Sequence, residues 1–220
     1  MNVKMNKRQK RVHSTVIFSS HGIEQTGVGR RPKFQVPFEL GNVRNASLSG
    51  LRASRCLRYL QALTWLTRYI RVLLMLGSND YPRRFTGDVD ELAKRIFNSL
   101  MDVVRYMSQH VEEDGRIYVV LPPPRPCDDD WPLYHLYLRS LDALLRQGQD
   151  GTYVYLGFCP LLYDREFKPK AGVLYKKYGK LDIHLSTSGY FVFRRWLSDI
   201  FSKGRRKPKS TKRCPKPSRT

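Results

Sequence analysis

The sequence predicts an α/β protein, a three-layer α/β/α sandwich built on a mostly parallel sheet. Residues 70–76, IRVLLML, are apolar except for Arg71 and are followed by a glycine and a polar turn, which is typical of a strand buried on both faces. Comparable apolar runs alternate along the chain with longer amphipathic segments. That alternation indicates parallel strands joined by helices that cover both faces of the sheet.

Each predicted element has a local signal. In residues 88–110 the apolar side chains recur every three or four positions, as on one face of a helix. Residues 116–121 form another buried strand, which ends at three prolines because proline cannot continue a central ladder, and a proline in the first turn marks the helix at 132–147. Residues 181–186 are predicted to be a loop before the last helix. In chain order, the predicted strands are 14–18, 34–40, 70–76, 116–121 and 152–158, and the predicted helices are 48–69, 88–110, 132–147 and 187–201.

The positive charge is concentrated at the two ends of the chain. The net charge is +21, and residues 1–11 and 203–220 carry five and nine Lys or Arg, respectively, with no Asp or Glu. Segments of this composition repel themselves and bury little apolar surface, so we expect both to be disordered. The predicted organisation is a basic N-terminal arm at 1–11, one folded domain at 12–202 and a basic C-terminal tail at 203–220.

The basic tails predict a nucleic-acid partner, which we interpret as RNA. Flexible cationic segments attract phosphate backbones through counterion release, without reading sequence. The same composition is equally typical of a nuclear-localisation signal or of a segment that only increases solubility. The candidate nucleic-acid contacts in the C-terminal tail are Arg205, Arg206, Lys207, Lys209, Lys212 and Arg213.

Several other classes of protein are disfavoured. No apolar run approaches the roughly 20 residues that span a bilayer, and the N-terminus lacks the pattern of a secretory signal. We therefore expect a cytoplasmic or nuclear protein without a transmembrane segment. Cys56, Cys127, Cys159 and Cys214 form no C-x-x-C pair and have no histidine at zinc spacing, so reduced thiols are expected and neither a metal nor a cofactor is predicted.

Three polar clusters follow predicted strands or lie in the predicted final loop: residues 19–21 (SSH), 77–80 (GSND) and 182–184 (DIH). Parallel topology brings strand ends to one edge of the sheet, where the clusters can converge. A serine after a strand and a histidine from another segment are the minimum set for nucleophilic acyl transfer. The oxyanion also needs fixed donors, for which the Asn79 amide and the Gly50 N–H are candidates. The second cluster is equally consistent with a simple turn followed by a helix cap.

The order and the flanks of these residues resemble the SGNH, or GDSL-type, hydrolase superfamily. The likeness covers most of residues 14–201 and depends on four blocks, VIFSSH, NASLSGL, LMLGSND and LDIHLSTSGY. It implies a flavodoxin-like topology, with Ser20 as the nucleophile and His184 as the base. It also implies that the backbone of Gly50 and the side chain of Asn79 form the oxyanion hole, and that the substrate is an ester or another acyl compound.

Two places depart from the superfamily pattern. Phe18 and Ser19 replace the Gly-Asp that normally precedes the nucleophile. Leu181 occupies the usual position of the acid, three residues before the histidine, and the nearest acid, Asp182, lies two residues before His184. Asp182 is therefore the candidate third member of a triad. The alternatives are a serine–histidine dyad and a ring oriented by another acid or by a backbone carbonyl.

Two functions fit this pattern. The first is a serine esterase or acyl hydrolase that the basic tails tether to nucleic acid, similar to the esterase-like domains that some retrotransposons encode. The second is a catalytically inactive SGNH-like domain that binds RNA, similar in kind to the C-terminal domain of the germ-plasm protein Oskar, and the arginine-rich stretch from 52 to 71 favours it. Retention of the four proposed site residues favours the first, because a binding scaffold requires none of them. An interaction module with neither activity is the third alternative.

Overall fold

The computed structural model describes residues 15–19, 43–45, 50–63, 68–124, 133–177 and 180–203, and for 15–19, 43–45, 175–177, 180–184 and 203 it describes the backbone alone. Strands and helices alternate through most of this length, and a single 3₁₀ turn, Ser78–Asp80, follows the third strand. The elements in chain order are β1 (Thr15–Ser19), β2 (Val43–Asn45), α1 (Ala53–Gln61), β3 (Tyr69–Met75), α2 (Val89–Ser108), β4 (Val111–Val120), α3 (Tyr134–Gln147), β5 (Val154–Gly157), β6 (Leu174–Lys177), β7 (Lys180–Leu185) and α4 (Thr187–Lys203).

The main sheet is parallel. Within the described residues it contains five strands in the order β2-β1-β3-β4-β5, and each neighbouring pair runs in the same direction. This order is that of the flavodoxin-like, doubly wound sheets. The α/β class with a mostly parallel sheet, predicted from the sequence, is therefore confirmed. Strands β6 and β7 form a separate antiparallel pair.

The central strand β3 accounts for the three layers. Val72 and Leu74 pack into a cluster with side chains of α1, α2 and α3, whereas Leu73 and Met75 pack with α4 on the opposite face. All four side chains are buried, as expected for a strand that is covered on both faces. The apolar run at 70–76 thus supplies most of a strand, β3, that separates two hydrophobic cores.

The predicted helix at 48–69 is too long at both ends, since residues 50–52 are not helical and α1 begins at Ala53. Helix α1 ends at Gln61, and Tyr69 is already the first residue of β3, where its N–H donates a hydrogen bond to the His110 carbonyl at 2.8 Å. Aromatic and β-branched residues such as Tyr69 and Ile70 favour a strand. Because apolar residues recur between the helix and the strand, at 62, 63, 65 and 66, their spacing alone does not locate the end of the helix.

The predicted loop at 181–186 is also wrong. Residues Lys180–Leu185 form β7, in which Leu181 and Leu185 are in register with residues of β6. The sequence LDIHL alternates apolar and polar residues, which is the period of a strand, so the signal was present. The predicted strand at 34–40 lies outside the described residues.

Three further expectations concern residues that the structure describes only in part. Cys56 and Cys159 are free thiols buried in the core, and Cys127 and Cys214 lie outside the described residues. None of the helices in the described part of the chain is long and apolar enough to cross a membrane. The arm at 1–11 and almost all of the tail at 203–220 lie outside the described residues, so the division into a domain and two tails stays a prediction.

Candidate functional site

The carboxyl edge of the sheet between β1 and β3 is the place where a ligand is expected. Strand β1 pairs with β2 on one side and with β3 on the other. The chain therefore adds β2 at one side of β1 and all later strands of this sheet at the other side. In doubly wound sheets, ligands bind outside the carboxyl ends of the strands at such a switch point. Ser19, the last residue of β1, is in register with Met75, the last residue of β3. The segments that follow these two strands therefore begin side by side.

The turn after β3 has a backbone that only a few residues can adopt. Gly77 has φ +114°, in the left-handed region that L side chains rarely occupy. A Cβ at this position would lie 3.1 Å from the Tyr137 hydroxyl and 3.3 Å from the Pro122 ring. The Tyr137 hydroxyl, on α3, donates a hydrogen bond to the Gly77 carbonyl at 2.9 Å. The turn that carries Asn79 is thus fixed from outside by a buried side chain.

Asp80, at the end of this turn, binds the first turn of α1. Its carboxylate accepts hydrogen bonds from the Ala53 N–H at 2.7 Å and from the Ser54 N–H at 3.3 Å. The Ser54 hydroxyl donates a third, at 3.0 Å. A carboxylate at a helix N-terminus satisfies N–H groups that have no partner within the helix and interacts favourably with the helix dipole. The loop after β3 and the start of α1 are therefore joined by charge-assisted hydrogen bonds.

The two proposed oxyanion donors lie at this junction. Gly50, just before α1, is exposed and has φ +80°, and within the described part of the chain no atom beyond its two neighbours lies within 4 Å of an added Cβ. The Asn79 amide nitrogen lies 3.5 Å from the carbonyl oxygen of Leu51, the residue after Gly50. This separation is at the long limit of a hydrogen bond. Gly50 and Asn79, which are distant in sequence, thus occupy one corner of the carboxyl edge.

The segment that carries the proposed base leads directly into α4. Asp182 and His184 both lie in β7, and their separation of two residues puts both positions on the same face of the strand. The Ser186 N–H donates to the Val173 carbonyl at 2.8 Å. The Ser186 hydroxyl donates to the Gly172 carbonyl at 2.6 Å and accepts from the Gly189 N–H at 3.0 Å, which caps the helix. The junction between β7 and α4 is thereby anchored to the chain that follows β5.

The predicted site residues fall into three groups. Gly50 and Asn79 are brought together, whereas for Asp182 and His184 the structure describes the backbone alone. Ser20 immediately follows the last residue of β1 but lies outside the described residues, as do the predicted nucleic-acid contacts of the C-terminal tail. Among the described side chains, no group of three or more His, Cys, Asp or Glu is placed to bind a metal ion.

Two residues with a role in this corner were missed by sequence reasoning. Asp80 directly follows Asn79, and its position in the polar turn was the available signal, although the helix it caps begins 27 residues earlier in the chain. Tyr137 lies on the buried face of a predicted amphipathic helix, where its spacing is that of an ordinary core residue. Nothing in the sequence pattern marks its hydroxyl as a partner of Gly77.

Comparison with known proteins identifies the architecture. No family model matches the sequence, and no curated protein sequence matches it significantly. Solved structures do match. A GDSL-like lipase from Bacteroides thetaiotaomicron superposes with a TM-score of 0.59 at 14% identity, covering 87% of this chain and 89% of that one. A carbohydrate acetylesterase from Sinorhizobium meliloti gives 0.55 at 18% identity, with 86% and 98% covered. The chain has an SGNH-hydrolase-like fold.

A third SGNH-like structure agrees with the first two. The psychrotrophic esterase of a Pseudoalteromonas species, in a structure inhibited by monoethylphosphonate, superposes with a TM-score of 0.53 at 16% identity and covers 86% of this chain and 97% of that one. These three neighbours are matched over 89%, 98% and 97% of their own length, so the likeness extends over most of each structure. At such low identity the likeness establishes only the fold. A proposal about the reaction must therefore be argued from residues of this chain, such as Gly50 and Asn79.

Proposed function

We propose that this protein is a serine esterase or acyl hydrolase of the SGNH type, with Ser20 as the nucleophile and His184 as the general base. One observation carries the proposal: the Asn79 amide and the backbone of Gly50 lie at one corner of the sheet edge, next to the point where the chain leaves β1. That corner is where an oxyanion hole is required if the residue after β1 attacks a carbonyl carbon. The names of the SGNH-like neighbours, a lipase, an acetylesterase and an esterase, support an ester as the substrate class.

The proposed reaction proceeds through an acyl-enzyme. The Ser20 hydroxyl oxygen attacks the ester carbon while His184 accepts the hydroxyl proton. The oxyanion of the tetrahedral intermediate accepts hydrogen bonds from the Gly50 N–H and from the Asn79 amide. His184 returns the proton to the leaving alcohol, and water then releases the acid by the same two steps. Asp182 orients the imidazole ring in this scheme.

The position of the Asn79 amide suits this role. Its contact with the Leu51 carbonyl is 3.5 Å long and is therefore weak. A developing oxyanion offers a shorter, charge-assisted hydrogen bond, which is about twice as strong as a bond between neutral groups. Compared with the contact to Leu51, the bond to the oxyanion is the stronger one, which is the direction that catalysis by differential binding requires.

A fluorophosphonate probe tests the nucleophile. We expect the purified protein to be labelled and the Ser20→Ala variant to be unlabelled, because the probe reacts only with an activated hydroxyl. The matched control is Ser19→Ala, which removes the neighbouring hydroxyl and should leave labelling intact. Wild-type protein that is folded by circular dichroism but remains unlabelled would contradict the proposal.

An inactive, RNA-binding domain is the second candidate. The observation that favours it is a row of exposed arginines on α1 and its cap, Arg52, Arg55 and Arg58, none of which is paired with an acid among the residues that the structure describes. These arginines add positive charge on the proposed domain at 12–202 to the positive charge of the proposed tails at 1–11 and 203–220. In either function the basic segments would bring the domain to nucleic acid, in the cytoplasm or the nucleus.

A further inference from the structure

Helix α1 begins without a cap of its own. Arg52, at the N-cap position, has an extended backbone, and its side chain makes no capping hydrogen bond. The first turn of α1 also contains no acidic residue. The first N–H groups of a helix have no partner within it and must be satisfied by another group. Here that group is the carboxylate of Asp80, which reaches Ala53 and Ser54 from the turn after β3.

The Asp80 carboxylate therefore joins the two segments that carry the proposed oxyanion donors. Gly50 precedes Ala53, the first residue of α1, by three positions, and Asn79 precedes Asp80 by one. A second contact between these segments runs from the Asn79 amide nitrogen to the Leu51 carbonyl oxygen, and its 3.5 Å length makes it weak. Loss of the carboxylate would remove its three shorter hydrogen bonds to α1 and so loosen the junction between the start of α1 and the turn after β3.

We propose that Asp80 is a positioning residue, which keeps the Gly50 N–H and the Asn79 amide at one fixed separation. The proposal rests on the proposed esterase function, in which both groups must reach the same oxyanion. A displacement of about 1 Å in such groups can cost about 100-fold in rate. Asp80 touches neither the substrate nor the reacting atoms in this scheme, so it acts only through the two donors.

The chain contains a matched control for this carboxylate. Asp88 caps α2, and its carboxylate oxygen accepts hydrogen bonds from the Asp90 N–H at 2.8 Å and from the Glu91 N–H at 3.2 Å. Both aspartates thus satisfy two backbone N–H groups at a helix N-terminus. The difference is that the partners of Asp88 are its near neighbours in sequence, whereas those of Asp80 belong to the other side of the proposed oxyanion hole.

The experiment compares Asp80→Ala, Asp80→Asn and Asp88→Ala in the full-length protein, with p-nitrophenyl acetate as the substrate. For Asp80→Ala we expect kcat to fall by about 10- to 100-fold with KM within about twofold of wild type, because a misplaced donor loses part of the 10²–10³ that an oxyanion-hole donor supplies. Asp88→Ala should lower Tm to a similar extent and leave kcat within about twofold. Asp80→Asn keeps one of the two acceptor oxygens and loses the charge, so its kcat should lie between those of wild type and Asp80→Ala.

Backbone amide exchange gives a second readout that does not depend on turnover. Asp80→Ala should accelerate exchange both in residues 50–56 and in 76–82, whereas Asp88→Ala should accelerate it only in 88–95. Equal kinetics for Asp80→Ala and Asp88→Ala, or unchanged exchange in 76–82, would overturn the positioning role. Wild-type protein that neither hydrolyses the ester nor reacts with the fluorophosphonate would instead overturn the proposed function, so the two failures are distinguishable.

Discussion

Cys56 is the fourth residue of α1, near the capped end of the helix, and its surroundings make its thiol unreactive. Burial, together with the negative charge of Asp80, raises the pKa of the Cys56 thiol to about 12. A thiol reacts as its thiolate, so at neutral pH Cys56 is protonated and inert. Burial similarly raises the pKa of Cys159 to about 11. The proposed mechanism therefore uses the Ser20 hydroxyl as the nucleophile and neither of these buried thiols.

Gly189, in the first turn of α4, is required by a close approach of the backbone. A Cβ at this position would lie 2.2 Å from the Val173 carbonyl oxygen, a backbone atom that cannot move independently of its segment. Alanine normally stabilises a helix relative to glycine by about 1 kcal/mol, but this clash reverses the preference. We expect Gly189→Ala to destabilise the protein by about 1–3 kcal/mol, the usual cost of overpacking.

The midpoint of urea unfolding measures this effect. Ser188→Ala is the control, because Ser188 is exposed in the same helical turn. Its midpoint should stay within the error of wild type. A Gly189→Ala variant that is more stable than wild type would mean that α4 does not pack against Val173 as described.

At the scale of the element, α1 begins at the candidate site and carries the row of exposed arginines. Its N-terminus begins at the proposed oxyanion hole, and Arg52, Arg55 and Arg58 are exposed from there along the helix. Its opposite face packs into the core through Ala53, Cys56 and Leu60. The buried face of α1 therefore packs into the core, its N-terminus lies at the proposed oxyanion hole, and its exposed face carries the arginines.

If α1 is a nucleic-acid contact, its arginines contribute to salt-sensitive binding. We expect replacement of Arg52, Arg55 and Arg58 by glutamine to weaken the affinity for a single-stranded RNA and to reduce the dependence of log K on log salt by about 2, since each phosphate contact on a single strand adds about 0.7 to that slope. The comparison is the full chain with glutamine at the six basic tail residues named above. If the tail variant loses all affinity and the α1 variant loses none, the folded domain does not bind RNA.

At the scale of the whole molecule, the arrangement of the sheet was the most predictable feature. The apolar runs at β3 and β4 are long enough to identify buried strands, and their alternation with helices fixes the parallel class. Element ends were less predictable. The alternation of LDIHL in β7 spans only five residues, and apolar residues that recur between α1 and β3 leave the end of the helix undefined.

For the candidate site, the sequence predicted the motif at 77–80 but not the long-range contacts that hold it in place. The turn at 77–80 was interpreted both as an oxyanion-hole motif and as a helix cap, and Asp80 does cap a helix, although it is the preceding α1. That contact joins residues 27 positions apart, and the Tyr137 hydroxyl reaches Gly77 across 60 positions. Contacts over such distances depend on how the layers pack, which local sequence patterns do not specify.

The central claim is that Ser20, Gly50 and Asn79 meet at the edge of the sheet between β1 and β3. The most direct test is a crystal structure of the protein inhibited with a monoethylphosphonate, the kind of inhibitor present in the Pseudoalteromonas esterase structure. We predict phosphorus bonded to the Ser20 oxygen, with a phosphonyl oxygen within about 2.7–3.1 Å of both the Gly50 nitrogen and the Asn79 amide nitrogen. Phosphorus bonded to another residue, or an Asn79 amide directed away from the phosphonyl oxygen, would contradict the claim.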